Sequence, residues 1–307
     1  MAPDSTAGPR IIVIDDDVLR DWPLPAPGEG DKEERGRVVI VAGCAEIPGA
    51  AVLAATAALR AGAGKVMIAT PASIAARLAY AVPESRVIAL DETADGCIAA
   101  SAAVKLEPFA EEADALLVGP GLAYGPATEN LTLALLALFR NAGIILDAAG
   151  MDVAMSSRGL RFPAPVLLTP HAGEMAKLTG LEKDAIVAHP RRTALDASRR
   201  WNAVVALKNA ITHLAAPDGR LWCHDGGNSG LATSGSGDVL AGIIAGLVAR
   251  GAALEQAAAW GIALHARAGE RLAERVGPLG YLARELPAEV PALMAALSPA
   301  HVARAKS

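Results

Sequence analysis

Residues 37–70, RVVIVAGCAEIPGAAVLAATAALRAGAGKVMIAT, carry the pattern of a β-α-β unit. The apolar run 37–42 predicts a strand covered on both faces, since the strands of a parallel sheet are buried on both sides. An alanine-rich helix is predicted over residues 50–61 and a second strand over residues 65–70. This stretch therefore favours an α/β fold.

The same alternation continues along the chain. Further strands are predicted at residues 86–90, 115–118, 144–146, 166–169 and 203–207, followed by a hairpin around Pro217-Asp218-Gly219. Helices are predicted at residues 73–81, 94–103, 128–141, 174–179, 190–201, 254–276 and 286–297. Such alternation implies a mostly parallel central sheet. No low-complexity linker divides the body, so we expect a polar arm at residues 1–36 and one domain at residues 37–307.

Composition narrows the class of protein. The 307 residues are 52% hydrophobic and 20% charged, which fits one large α/β domain. Aromatic residues make up only 3%, so helices must pack closely through small side chains, and we expect a homo-oligomer because such helices also pack well between subunits. The net charge of −5 argues against a nucleic-acid groove or an anionic membrane surface as the main partner.

The cysteines and the N-terminus indicate a cytoplasmic protein. Cys44, Cys97 and Cys223 are scattered and odd in number, so neither a disulfide framework nor a zinc site is indicated. Acids stand near the N-terminus where a signal peptide would need basic residues. The longest apolar run, residues 239–249, is far short of the ~20 residues that span a bilayer, and we expect a buried helix there.

A second stretch, GNSGLATSGSGDVLAG at residues 227–242, carries the chemistry. Its glycines leave backbone N–H groups uncovered, and a helix starting near Ser236 or Gly237 aims its unpaired N–H groups at the same place. Gly235, Ser236 and Gly237 are therefore predicted to form an anion hole. Asp238 is the one charge in the first helical turn that can take a proton, so the pattern indicates phosphoryl transfer.

Ordinary explanations of this loop stay open. An acid in a first helical turn is favourable by roughly 0.3–1 kcal/mol without any ligand, and Ser-Gly repeats also make plain turns. The run matches neither the P-loop spacing nor G-x-G-x-x-G after a strand. A nucleotide site therefore needs support from other parts of the chain.

Several informative residues follow directly after predicted strands: Gly43, Gly119-Pro120-Gly121, Asp147, His171 and Lys208. Ligands of open parallel sheets bind in the crevice at the carboxyl ends of the strands. We therefore expect these residues to converge, although the glycines could equally form tight connections and Asp147 could cap a turn.

Three polar residues at or near these strand ends have more than one interpretation. His171 could donate to a carboxamide or hydroxyl of a ligand, or it could be a satisfied structural histidine. Glu174 could orient His171, hold Mg²⁺ through water or, as we favour, complement the helix dipole. Lys208 and the following residues 209–212 could wrap a nucleotide phosphate, or Lys208 could be a surface lysine.

In combination these segments resemble the ADP- or ATP-dependent NAD(P)H-hydrate dehydratases, a family with a ribokinase-like fold. The matching segments are residues 43–50, 58–64, 119–122, 169–171 with Glu174, 208–212 and 227–242. They span nearly all of residues 37–250, and their combination is far more specific than any one of them. The resemblance implies a three-layer sandwich around a mostly parallel sheet. It also implies an enzyme that restores NADH and NADPH from hydrated NADHX and NADPHX at the expense of a nucleotide.

The resemblance also implies roles for individual residues. The hydrated dinucleotide would contact Ala50, Gly121, His171 and Asp238. The adenine nucleotide would contact Lys208, Asn209, Ala210, Ile211, Thr212 and Gly237. Asp238 would be the catalytic residue that deprotonates the ring hydroxyl for attack on the terminal phosphate. ADP is the expected phosphate donor, with ATP as the alternative, and Mg²⁺ would accompany it.

The chain departs from the family at several positions. Relatives often have Ser at Cys44, Tyr near Ile47, Gly at Asn209 and Pro at Ser229. The loss of a glycine at Asn209 bears on the choice between ADP and ATP, whereas Ser236 keeps the hydroxyl of the anion loop.

Two further questions concern the chain as a whole. Its 36 residues before the first predicted strand are too few for the epimerase domain fused to many relatives, so epimerisation is expected on a separate chain. Two other functions share the same loop and acid: a ribokinase-like kinase of a carbohydrate or vitamin precursor, and a non-catalytic nucleotide-sensing module.

Overall fold

One ten-stranded sheet organises the chain. The computed structural model describes residues 10–26, 35–155, 161–164 and 166–297. Within these residues the strands are β1 (Ile11–Val13), β2 (Arg37–Val41), β3 (Lys65–Pro71), β4 (Arg86–Leu90), β5 (Ala115–Val118), β6 (Gly143–Leu146), β7 (Leu167–Leu168), β8 (Val204–Leu207), β9 (Thr212–Ala215) and β10 (Leu221–His224). Their order across the sheet is β1-β10-β9-β8-β7-β6-β5-β2-β3-β4. Only β9 pairs antiparallel with its neighbours among these strands, so the expected mostly parallel sheet is confirmed.

Helices cover both faces of this sheet. The described α-helices are α1 (Asp16–Asp21), α2 (Gly49–Arg60), α3 (Ala72–Ala81), α4 (Glu107–Ala110), α5 (Pro126–Leu138), α6 (Ala172–Thr179), α7 (Lys183–Ala188), α8 (Pro190–Trp201), α9 (Ser236–Ala249), α10 (Leu254–Arg275) and α11 (Leu286–Leu297). Short 3₁₀ segments occupy Ala100–Leu106, Ala148–Met155, Ser229–Leu231 and Ala283–Glu285. No described helix combines the length and the apolar character needed to cross a membrane.

Alternate residues of each strand enter opposite cores. Val38 and Ile40 of β2 pack in the core that contains α2, α9, α10 and α11, whereas Val39 and Val41 pack in the core that contains α5, α6 and α8. Successive side chains of a strand point to opposite faces, so a strand buried on both faces must be apolar throughout. The two cores make the predicted three-layer sandwich.

Successive strands are added to the sheet in one direction up to β4 and in the opposite direction from β5, and this reversal lies beside β2. From β2 the chain runs through β3 to β4 on one side, whereas β5, β6, β7 and β8 lie on the other side in order. Where the connections that follow two neighbouring strands run in opposite directions, a crevice forms between them at the carboxyl ends of the strands. The crevice therefore lies at the ends of β2 and β5.

Helices α2 and α9 pack against each other with their backbones in close contact. A Cβ on Gly242 would lie 2.2 Å from the Ala54 backbone oxygen, and one on Gly246 would lie 2.5 Å from the Ala58 backbone oxygen. Both helices carry small residues on the facing sides, so their backbones come into direct contact. This contact brings the first turns of α2 and α9 to the same edge of the sheet.

The N-terminal arm joins the sheet. β1 pairs in parallel with β10, and the backbone oxygen of Ile14, the residue after β1, accepts a hydrogen bond from His224 Nδ1–H at 2.8 Å. Trp22 stacks on Trp222 with ring centroids 5.9 Å apart. Residues 11–22 are thus built into the same core as the body, while the division at residue 36 stays a prediction.

One local prediction was wrong, and one helix was not predicted. The helix expected over residues 94–103 is absent: a turn closes between Thr93 and Cys97, with Gly96 at φ 74°, and the helical segment begins only at Ala100. The Asp95-Gly96 pair favours that turn because glycine adopts positive φ without strain. Helix α7 was not expected, because its six residues are too short for a clear helical period.

Substitution at the helix contact should lower stability. We expect Gly242→Ala to reduce the free energy of unfolding by about 1–3 kcal/mol, because the added methyl group meets backbone atoms that cannot move aside. Urea unfolding followed by circular dichroism measures the change. The matched control is Gly49→Ala at the start of α2, where a Cβ would meet nothing within 4 Å. Equal stability of Gly242→Ala and Gly49→Ala would contradict the close contact.

Candidate active site

Bare backbone lines the crevice between β2 and β5. The Gly43 N–H donates to the Pro120 backbone oxygen at 2.8 Å, which joins the ends of the two strands. Gly121 has φ 66°, and a Cβ on it would lie 2.6 Å from both the Ala50 Cβ and the Ile47 backbone oxygen. Any larger residue at position 121 would collide with the start of α2. The structure thus brings the predicted site residues Ala50 and Gly121 into contact, although they are 71 positions apart in the sequence.

A partly buried lysine and a buried acid meet beside this crevice. Lys208 follows β8, and its Nζ lies 3.4 Å from Asp147 Oδ1, which also accepts from the Thr169 hydroxyl at 2.6 Å. The three residues follow β8, β6 and β7, three neighbouring strands. Burial lowers the pKa of Lys208, but the charges of Asp147, Glu174 and Asp238 outweigh it and leave the pKa raised. Asp147, for which the sequence left two interpretations, faces the crevice.

Asp238 lies in the first turn of α9, which begins at Ser236 as expected. Gly235 precedes the helix with φ 86°, and a Cβ on it would lie 3.8 Å from Asp238 Oδ2. Burial raises the pKa of Asp238 to about 7, with Asp147 and Glu174 adding to the rise and Lys208 opposing it. An aspartate with this pKa is close to half ionised at neutral pH and can accept a proton there.

Lys208 also lies beside the helix N-terminus. A Cβ on Gly237 would be 3.5 Å from Lys208 Nζ, so the ammonium group reaches the first turn of α9. The dipole and the N–H groups at the start of a helix attract anions, and a cation beside them strengthens that attraction. The remaining predicted nucleotide residues Asn209, Ala210 and Ile211 form an exposed turn, and Thr212 begins β9.

The glycine-rich loop is held from two sides. The Asn228 side chain accepts from the Gly230 N–H at 2.9 Å and from the Tyr281 hydroxyl at 2.7 Å. The Gly227 N–H donates to Glu270 of α10 at 2.7 Å. These contacts fix the loop before a ligand binds, so little conformational entropy is lost on binding.

His171 is the N-cap of α6. Its Nδ1 accepts from the N–H groups of Gly173 and Glu174 at 3.0 and 3.1 Å, while the Glu174 carboxylate accepts from the His171 N–H at 2.8 Å. A ring nitrogen that accepts carries no hydrogen, so the neutral ring holds its hydrogen on Nε2. Because the side chain is 59% exposed, that N–H is available to a ligand. Glu174 completes the capping box, in agreement with the favoured helix-terminus role.

Two residues of the site were missed from the sequence. Partial burial of Tyr124, with the charges of Glu174, Asp152 and Asp147, raises its pKa to about 12. Lys177 Nζ lies 4.1 Å from the centre of the Tyr124 ring. His265 of α10 contacts Ser236. The sequence does contain a signal for His265, because this polar residue lies on the otherwise apolar helix face formed by positions 258, 262, 269 and 272.

The described residues contain no cluster of three or more His, Cys, Asp or Glu side chains arranged to hold a metal ion. Mg²⁺ that accompanies a nucleotide needs only one or two carboxylates, because phosphate oxygens and water supply the other ligands. Asp147 and Glu174 both act electrostatically on Asp238 and Lys208, so they lie close to the crevice and provide the right kind of donor.

An open α/β sheet with a crevice at its reversal point, a glycine-rich loop and an acid in the following helix defines the ribokinase-like class. The family model for NAD(P)H-hydrate dehydratase matches residues 38–292. The chain therefore belongs to the NAD(P)H-hydrate dehydratase family, which confirms the resemblance drawn from the sequence.

Similar proteins agree with this assignment. The chain is 48% identical to an ADP-dependent (S)-NAD(P)H-hydrate dehydratase of Xanthomonas campestris pv. campestris, over 94% of this chain and 97% of the relative. It is similar to the structure of an ADP/ATP-dependent NAD(P)H-hydrate dehydratase from Bacillus subtilis co-crystallised with ATP/Mg²⁺, with a TM-score of 0.78 and 25% identity over 94% and 99% of the two chains. A ribokinase-like superfamily protein of Enterococcus faecalis gives a TM-score of 0.79 and 26% identity over 94% and 96%.

The raised pKa of Asp238 has a consequence for stability. Between pH about 4 and about 7 the folded state keeps the proton that the unfolded state has released, so stability falls as the pH rises through this range. Asp238→Asn cannot titrate, and we expect it to be more stable than the wild type at pH 8 by about 2–4 kcal/mol, with no difference near pH 3.5. Urea unfolding at several pH values measures this.

The control for that experiment is Asp218→Asn. Hydrogen bonds from the backbone and side chain of Arg220 lower the pKa of Asp218, so its removal should act in the opposite direction, with a loss of stability that is present above pH 4 and absent below the lowered pKa. A pH-independent difference for Asp238→Asn would show that Asp238 titrates normally.

Proposed function

We propose that the protein dehydrates (S)-NADHX and (S)-NADPHX to NADH and NADPH with ADP as the phosphate donor. The observation that carries the proposal is the ionisable Asp238, with a pKa of about 7, in the anion-binding first turn of α9. A proton acceptor placed where a phosphate binds is suited to transfer a phosphoryl group to a hydroxyl. Membership of the dehydratase family identifies the hydroxyl as that of the hydrated nicotinamide ring.

In the proposed reaction Asp238 takes the proton of the ring hydroxyl. The hydroxyl oxygen then forms a bond to the terminal phosphorus of ADP, and the bond from that phosphorus to the bridging oxygen breaks, which releases AMP. The N–H groups of Gly235 and Gly237 and the positive end of α9 would stabilise the developing charge, whereas the Ser236 N–H already donates to the Thr233 backbone oxygen at 3.2 Å. The C–O bond of this phosphate ester then breaks as the ring nitrogen supplies an electron pair, which releases inorganic phosphate. The neighbouring ring carbon gives a proton to water, and the electrons of its C–H bond restore the ring double bond.

The dinucleotide would lie over the bare backbone of the crevice. Ala50 and Gly121 are in contact there, and their small size leaves room for a flat ring close to the chain. His171 would donate through Nε2 to a carboxamide or hydroxyl oxygen, because its Nδ1 is occupied by the cap of α6. Asp238 would then face the ring hydroxyl from the opposite side of the crevice.

The adenine nucleotide would lie along the turn between β8 and β9. Lys208 would contact a phosphate, and Gly237 would give a backbone N–H. The exposed residues Asn209, Ala210 and Ile211 and the partly buried Thr212 would line the nucleoside. The Asn209 side chain accepts from the Ala210 N–H at 2.9 Å and so shapes this turn. Mg²⁺ bound to the nucleotide would be held by Asp147 and Glu174 and would neutralise phosphate charge.

The wider setting of the reaction is also part of the proposal. The S epimer alone would be consumed, so a separate NAD(P)H-hydrate epimerase would supply it from the R epimer. We place the reaction in the cytoplasm. We also expect a homo-oligomer, and light scattering will measure its molar mass in solution.

Asp238→Asn should abolish dehydration. We expect the rate with NADHX and ADP to fall at least about a hundredfold, the usual contribution of a general base, while ADP still binds. The assay follows the near-ultraviolet absorbance of the restored dihydronicotinamide ring, with ADP and ATP tested in parallel. An unchanged rate in Asp238→Asn would contradict the mechanism, and a stable phosphorylated product would indicate a kinase instead.

Lys208→Met should weaken nucleotide binding. We expect the Kd for ADP to rise by at least about tenfold, because a charge-assisted contact to phosphate is lost. Isothermal titration calorimetry measures the Kd, and circular dichroism checks the fold. Lys183→Met removes an exposed lysine at the start of α7 and serves as the control. An equal Kd in both variants would remove Lys208 from the phosphate site.

A further inference from the structure

A histidine of α10 holds the first residue of α9. His265 Nε2 lies 2.9 Å from Ser236 Oγ and 3.0 Å from the Ser236 backbone oxygen. The neighbouring positions on this face of α10, Ile262, Gly269 and Leu272, are buried. A polar ring among them requires polar partners, and Ser236 supplies both.

The two distances decide which ring nitrogen carries the hydrogen. A backbone oxygen can only accept a hydrogen bond, so Nε2 at 3.0 Å from it must be the donor. Burial lowers the pKa of His265 to about 4, a contact to the Ser236 backbone opposes this, and the Lys208 charge adds to the lowering. The ring is therefore neutral at physiological pH, with its hydrogen on Nε2.

This tautomer sets the direction of the Ser236 hydroxyl. Because Nε2 already carries a hydrogen, the Ser236 Oγ can only accept from it, and the hydroxyl hydrogen must point to another acceptor. Ser236 lies between Gly235 and Gly237 in the predicted anion hole, so the hydroxyl can add a donor to the backbone N–H groups there. Glu270, further along α10, binds the Gly227 N–H at 2.7 Å, so α10 contacts both ends of the loop.

We propose that His265 is a positioning residue, which through its Nε2–H turns the Ser236 hydroxyl toward a phosphate oxygen of the adenine nucleotide. A donor that is oriented before the anion arrives needs no reorganisation on binding. The inference rests on the proposed function only in that the loop binds a nucleotide phosphate; it does not depend on the dehydration step.

A double-mutant cycle with ADP tests the proposal. We expect His265→Leu and Ser236→Ala each to raise the Kd for ADP by about tenfold or more, the effect of one hydrogen bond to a charged group. The double variant should bind no more weakly than Ser236→Ala alone, because the histidine acts through the hydroxyl. His265→Gln keeps an N–H donor and should stay within about threefold of the wild type. His189→Leu, an exposed histidine next to α8, is the matched control.

Additive effects in the cycle, or normal ADP binding by His265→Leu, would overturn the proposal. If His265→Leu does not fold, ¹⁵N NMR of the wild-type histidines decides, with His265→Gln giving the assignment. A neutral Nε2–H ring between pH 5.5 and 8 is expected, and a charged or Nδ1–H ring would refute it. If ADP binds but NADHX is not dehydrated, the proposed reaction fails while the cycle still decides the role of His265.

Discussion

The backbone contact between α2 and α9 is the constraint on which the site depends. Gly242 and Gly246 let α9 approach α2 so closely that no side chain fits between them. The first turns of both helices therefore reach the same edge of the sheet, where one presents Ala50 and the other Asp238. The high alanine content of the chain has a direct structural reason here, because larger residues would separate the two halves of the crevice.

Electrostatic balance is the second determinant of the site. One partly buried ammonium group, that of Lys208, interacts electrostatically with three carboxylates, those of Asp147, Glu174 and Asp238. Burial is the main reason why Asp238 keeps its proton near neutral pH, and the charges of Asp147 and Glu174 add to this effect while the charge of Lys208 opposes it. A nucleotide with its cation would change this balance, so binding of the donor and ionisation of the acid are coupled.

Much of the fold and part of the site could be predicted from the sequence. The strands ending at Gly43, Asp147 and Lys208 were visible as apolar runs, and the rule that carboxyl ends share an edge predicted their convergence. Apolar runs do not show the order of the strands in the sheet. The contact between Asp147 and Lys208, whose strands lie on either side of the strand before Thr169, could therefore not be predicted. The place of His265 on an otherwise apolar face of α10 indicates a buried polar contact, but the sequence does not show that its partner is Ser236. The predicted helix at residues 94–103 does not form, because the turn around Gly96 is more favourable there than a helix that runs into the following alanines.

The pairing of β1 with β10 has a consequence for how the protein is made. Ile14 and His224, which meet at the end of this pair, are separated by 210 residues. During synthesis the first strand leaves the ribosome long before its partner exists, so the edge of the sheet that leads into the glycine-rich loop is completed only when most of the chain is present. Contacts of such high sequence separation form late, because a long loop must be closed first. The catalytic loop thus gains its final support in one of the last steps of folding, and a partly made chain would carry no working site.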